Sequence, residues 1–267
     1  AGCRVVSIDI DTEAVKRAVS FIPKKFSPHI FESDSISFPA PKDFTWIIIR
    51  SNFTKIGEIV EKLSLPKFDG AMVDLGPSQF QIFSPDRGFS FNTDEPLDMR
   101  LSKELGVTAA NLLAILNEGE LVELFSLADE PFAKPLARII VKQRTIVPIK
   151  MTKQLADLVW RVKRGRLGKI HPATQVFMAL RMAVNLEREN INLLLPQLPQ
   201  LLKKDGLLGI ISFHSGEDKL VKDFITNEEK KGSLSAINQK PIVPSTSELS
   251  ISHRSRSAKL RVAKKIS

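Results

Sequence analysis

Three short, continuously apolar runs constrain this chain most: Arg4–Ile10 (RVVSIDI), Gly70–Leu75 (GAMVDL) and Leu207–Phe213 (LLGIISF). Strands that alternate apolar and polar residues belong to sheets with one wet face. Continuous runs belong to parallel sheets covered on both faces. Trp46–Ile49 (WIII) is a fourth run of this kind. A helical pattern with an acidic start, Asp11-Thr12-Glu13-Ala14-Val15-Lys16, follows the first run, and Lys55–Leu63 precedes GAMVDL as a second helix. Strands alternating with helices predict a doubly wound, Rossmann-like α/β sheet. Between Ser20 and Asp43 the pattern dissolves into a Pro- and Ser-rich stretch, read as a surface loop or insertion.

From Thr108 to about Leu195 helical periodicity replaces the β signal, over Thr108–Leu127, Phe132–Lys142, Thr152–Val162 and Ala173–Leu195. An all-helical block between strands of one sheet reads as an inserted domain. The expected organisation is therefore a sheet domain in two parts, residues 1–106 and 197–267, around a helical domain at 107–196. In the second part, Thr226–Ser250 reads as a loop and Ala258–Ile266 as a last strand. Within 267 residues, 43% apolar and 26% charged, both domains can bury a core. No apolar run reaches the roughly 18 residues of a transmembrane helix. The single cysteine, Cys3, excludes a disulfide framework or a Cys-rich zinc site and fits a reducing compartment. The four histidines show no His-x-x-His or Glu-x-x-His spacing, so no metal site is expected.

Lysine plus arginine number 39 against 30 acids, a net charge of +9, and the excess is clustered. Arg161, Lys163, Arg164, Arg166 and Lys169 fall together with no anion, just ahead of His171. The tail after Glu248 carries Arg254, Arg256, Lys259, Arg261, Lys264 and Lys265, again with no anion. Such clusters are the electrostatic footprint of a nucleic-acid binder, or a solvated basic face.

Two acids end apolar strands. Asp9 closes the first run, where open α/β sheets bind ligands and where a carboxylate holds both hydroxyls of a ribose; the competing role, capping the next helix, suits Asp11 better. Asp74 closes GAMVDL ahead of Gly76-Pro77-Ser78. A polar acceptor beside such a turn suits methylation of an exocyclic amine, whose lone pair is delocalised until an acceptor takes its N–H. An Asp that merely closes the turn is the alternative. His214, just after LLGIISF, faces the same strand ends. His171, before Pro172, either touches RNA or caps a helix. Trp160 and the phenylalanines at helical spacing read as core rather than as base-stacking platforms.

The strings PDRGFSF (85–91) and PLDMR (96–100), with Asp74-Leu75-Gly76 ahead of them, resemble the RsmH (MraW) family of small-subunit ribosomal RNA cytosine-N4 methyltransferases. Further matches follow in order, at His171-Pro172-Ala173-Thr174, at Ile211-Ser212-Phe213-His214-Ser215 and at Arg254-Ser255-Arg256-Ser257-Ala258-Lys259. The similarity runs from Gly2 to Lys264. It implies a class I methyltransferase sheet, S-adenosylmethionine as cofactor and small-subunit rRNA as partner, in the cytoplasm of a bacterium or a mitochondrion. It implies that Asp9, Phe53, Asp74 and Gln81 contact the cofactor; the sequence leaves the proton acceptor open among Asp74, Asp98 and His214. It also associates the helical insertion with RNA, in agreement with the cations Arg161 to Lys169, His171 and the tail residues Arg254 and Arg256. The family's opening strand and glycine-rich cofactor loop have no counterpart here, so an N-terminal truncation is expected. An assembly factor that binds rRNA without catalysis is the alternative function, and a DNA amino-methyltransferase is a weaker third.

Overall fold

The computed structural model describes residues 3–23, 26, 28–32, 36, 39–163 and 171–267. The chain divides into two compact units, Ala1–Gly76 with Arg188–Ser267, and Pro77–Glu187.

In the first unit, β1 (Val5–Asp9), β2 (His29–Glu32) and β3 (Trp46–Arg50) form a parallel sheet in the order β1-β3-β2. The WIII run explains why β3 is central. Ile47 and Ile49 pack on one face with Ile59 of α2 (Ile56–Lys62), while Ile48 packs on the other with Val15 of α1 (Thr12–Phe21). A strand covered on both faces is apolar at consecutive positions. Asp11 caps α1 by accepting the Glu13 N–H at 2.9 Å. β2 lies within the stretch expected to be loop. It is an edge strand of 4 residues with only Phe31 half-buried, so it has no apolar run to betray it.

A second sheet has the order β4-β5-β7-β6. β4 (Phe68–Asp74) and β5 (Leu202–Ser212) are parallel, and β7 (Lys259–Lys265) and β6 (Leu234–Ala236) continue it antiparallel. Leu208 and Ile210 of β5 pack with Ile191 and Leu194 of α9 (Glu187–Leu194), Leu198 of α10 (Leu198–Leu201), and Val221 and Ile225 of α11 (Ser215–Lys230). Part of the expected 226–250 loop is structured: α11 runs to Lys230, β6 follows, and α12 (Thr246–Ile251) begins.

The second unit holds α3 (Gln79–Phe83), α4 (Ala109–Ile115), α5 (Glu118–Ser126), α6 (Ala133–Arg144), α7 (Thr152–Lys163) and α8 (Thr174–Val184). Two predicted helices are each broken. Asn117 caps α5 through the Glu120 N–H at 3.0 Å and splits Thr108–Leu127. Leu186, at φ +50°, separates α8 from α9. The unit starts at Pro77 rather than 107 and ends at Glu187 rather than 196. The reason is packing: Phe89, Leu97 and Met99 share one core with Leu113, Leu136 and Phe177. Asn185 ties the loop down, its Nδ2 donating to the Met99 carbonyl at 2.8 Å and its Oδ1 accepting the Leu101 N–H at 2.7 Å. Gly88 is forced by the same contact: at φ +69°, a Cβ there would lie 2.2 Å from the Pro96 carbonyl oxygen. Among the described residues, no helix is long and apolar enough to cross a membrane.

Candidate active site

Asp9 ends β1 and Asp74 ends β4, so each of these two carboxylates of the first unit stands at the carboxyl edge of a parallel strand. Ligands of open α/β sheets bind at such edges. The Ser51 N–H donates to the Asp9 carbonyl at 2.9 Å, which brings the chain leaving β3 alongside Asp9. Asp9 Oδ1 accepts the Asp11 N–H at 2.8 Å, and no cation pairs with the carboxylate among the described residues. Enclosure by protein raises its pKa and the Asp11 charge adds to this, against hydrogen bonds from the Asp11 and Ile10 backbone. An acid with acceptor capacity to spare and no neutralising cation suits a pair of ligand hydroxyls. Phe53 follows in a 3-10 turn, Phe53–Lys55, half-buried against the core around Leu75. Gln197 fixes this turn, accepting the Gly57 N–H at 3.0 Å and donating to the Thr54 carbonyl at 2.8 Å.

Asp74 pairs in register with Ile211 of β5, and the Leu75 N–H donates to the Ile211 carbonyl at 3.0 Å. β5 then runs through Phe213 and His214 into α11. His214 caps that helix, Nδ1 accepting the Glu217 N–H at 3.4 Å. Glu217 is buried in the first turn: Oε2 accepts the Phe213 N–H at 2.8 Å, and Oε1 lies 3.2 Å from His214 Nε2. The same oxygen is 3.6 Å from where a Cβ on Gly76 would stand, so Glu217 underlies the turn after Asp74. The Asp74 pKa is raised, by burial first and by the Glu217 charge second. Two neighbouring carboxylates resist ionising together, so one holds a proton more readily, as a general base at neutral pH must. Glu217 belongs to the motif around His214 but was not among the expected site residues; its signal was an acid in the first turn of the helix that LLGIISF enters.

The sequence profile of the MraW methylase family matches residues 3–266. The chain belongs to that family. A protein named Ribosomal RNA small subunit methyltransferase H from Coprothermobacter proteolyticus is 40% identical over 261 residues, 97% of this chain and 81% of the relative. Its namesake from Carboxydothermus hydrogenoformans is 37% identical over 285 residues, covering 100% of this chain and 86% of the relative. A third, from Cyanothece sp., is 44% identical over 201 residues, 75% of this chain and 66% of the relative. The Rossmann-like α/β fold expected from the strand runs is that of a methyltransferase family.

Several of the expected site residues have other work. Asp98 is gripped by Arg100, Nε to Oδ1 at 2.7 Å and Nη2 to Oδ2 at 2.8 Å. Burial alone would raise its pKa, but the guanidinium outweighs burial and holds it below the ordinary value. A carboxylate so held takes a proton less readily than Asp74, whose pKa is raised. Gln81 Oε1 accepts the Ser78 N–H at 2.7 Å, and Ser78 Oγ accepts the Gln81 N–H at 3.2 Å, a capping box that starts α3. Lys163 is buried, its ammonium donating to Glu130 Oε2 and to the Pro172 carbonyl, each at 2.6 Å. It is therefore structural and not a contact for RNA phosphates. Arg161 is exposed on α7, and Arg256 is exposed too; Arg164, Arg166 and Lys169 lie outside the described residues, as does the side chain of Arg254. Folding neutralises much of the basic tail, since Arg261 and Lys259 pair with Asp218 and Lys264 pairs with Asp205. His171 Nδ1 accepts the Ala173 N–H at 3.2 Å, the capping role open to it. Trp160 corrects the core assignment, with 41% of its surface exposed.

Proposed function

We propose that this protein methylates N4 of a cytidine in small-subunit ribosomal RNA, using S-adenosylmethionine. The observation that carries this reading is Asp74: a carboxylate of raised proton affinity at a strand's carboxyl end, beside the Gly76 turn and above Glu217. Small-subunit rRNA as substrate class comes from the name the relatives share. The residues present suit the cofactor. Asp9, with no cation paired to it among the described residues, would hold the ribose diol, and Phe53 in its fixed turn would lie against the adenine. The bound cofactor would supply a methyl group on a sulfonium, ready for attack by a nitrogen lone pair. Asp74 would accept an N–H of the cytosine amine, turn its lone pair out of conjugation, and take the proton as the nitrogen gains its methyl. The cytosine must be unpaired or flipped to present that amine. Incubating the protein with labelled cofactor and small ribosomal subunits should place label in N4-methylcytidine alone. Label in another nucleoside would contradict the reading; binding without any label would favour an assembly factor.

A further inference from the structure

A ladder of rings runs from the core of the second unit to its surface. Phe177, buried in α8, meets Phe91 edge-on at 5.3 Å and 86°. Phe91 stacks on His171 at 4.2 Å and 16°, and His171 lies 6.0 Å from Trp160 at 30°. Trp160 is the rung that reaches water, 41% exposed on the last turns of α7.

The ladder is held rigid. Lys163, one turn after Trp160, ties the end of α7 to the Pro172 carbonyl and to Glu130. His171 is fixed in turn: its Nδ1 accepts the Ala173 N–H and its carbonyl accepts the Thr174 N–H at 3.0 Å. Burial, then the Lys163 charge, lowers its pKa, so the ring is neutral at neutral pH with its proton on Nε2. The indole N–H of Trp160 donates to nothing among the described residues. Arg161, next to Trp160, is exposed on α7, and the sequence from Arg161 to Ile170 carries cations and no acid, which favours an anionic partner beside the ring.

We infer that Trp160, backed by His171 and Phe91, is a stacking platform for an unpaired base of RNA. This rests on the rRNA reading above. Unpaired bases stack on aromatic rings, and neighbouring cations hold the phosphates on either side. A preset platform spends little ordering entropy when the base arrives.

Trp46 and Trp160 are the chain's 2 tryptophans. In a Trp46→Phe background, a single-stranded oligoribonucleotide should quench Trp160 fluorescence, and the same sequence as a duplex should not. By fluorescence anisotropy in the parent background, Trp160→Ala should bind the oligonucleotide roughly five- to a hundredfold more weakly. Trp160→Phe should recover most of that loss. The slope of log affinity against log salt should be unchanged in both variants, because no phosphate contact is removed. Parental affinity for Trp160→Ala, in a protein that methylates small subunits, would overturn the platform alone. A parent that neither binds RNA nor methylates small subunits would overturn the rRNA reading and the platform with it.

Discussion

Replacing Lys163 with Met should destabilise the second unit by about 3 to 5 kcal/mol, the usual result of removing one member of a buried ion pair. The pair is 2.6 Å long, with side chains 7% and 0% exposed. Methionine fills nearly the same space, so little of the loss is a cavity. What remains is a Glu130 carboxylate sealed from water, with Oε1 still accepting the Phe132 N–H at 2.9 Å and Oε2 deprived of its cation. The Pro172 carbonyl loses its donor as well. At about 2 to 4 °C per kcal/mol for a chain of this size, the thermal midpoint should fall by roughly 6 to 20 °C, measured by circular dichroism. Adding Glu130→Gln should recover part of the loss, because a neutral amide needs no cation. A loss below about 1 kcal/mol, the worth of a solvated surface pair, would refute the reasoning. So would a double variant whose losses simply add.

Asp9→Ala should weaken S-adenosylmethionine binding by about one to two powers of ten, since a charged hydrogen bond is worth roughly 1.5 to 3 kcal/mol; unchanged affinity in a titration would remove Asp9 from the ribose site. Gly88→Ala should cost at least about 1 to 3 kcal/mol from the backbone angle alone, more from the collision with Pro96, and a denaturation midpoint equal to the parent's would contradict the crossing described. Asp98, with its pKa held below 3.8, adds stability above that pH and loses it as pH falls through the lowered value. Asp98→Asn should therefore be less stable than the parent at neutral pH and converge on it in acid; a gap that persists in acid would contradict the pairing with Arg100.

Burial on both faces demands continuous apolar runs, which made β3 and β5 legible; β1 and β4 carry such runs too, although β1 is only half-buried and β4 is exposed at Gly70 and Met72. β2 and β6 are short and mostly not buried, so they left no such trace. The boundary at Pro77 was hidden for a different reason. Phe89, Leu97 and Met99 enter a helical core from a loop, and loop residues have no period to read. Asp9 and Asp74 could be picked out by position at strand ends. Asp98 looked equivalent until its pairing with Arg100, two residues on, was visible. Lys163 looked like one more member of a cation run, because its partner Glu130 lies far back in sequence. Trp160 sits at the margin of the α7 stripe formed by Leu155, Ala156 and Val159, where spacing alone does not separate core from surface.

The most direct test of the account is Asp74→Asn, assayed for methyl transfer to small subunits and, separately, for cofactor binding and stability. The amide oxygen can still accept the cytosine N–H but cannot take its proton. Turnover should therefore fall by about two powers of ten or more, the usual worth of a general base, with cofactor affinity little changed. The folded protein raises the pKa of Asp74, so its ionised form disfavours folding above that pKa, and the amide removes this burden. Asp74→Asn should accordingly melt no lower than the parent at neutral pH, which excludes unfolding as the cause of lost turnover. Parental turnover, or a loss confined to cofactor affinity, would contradict a role for Asp74 at the substrate amine.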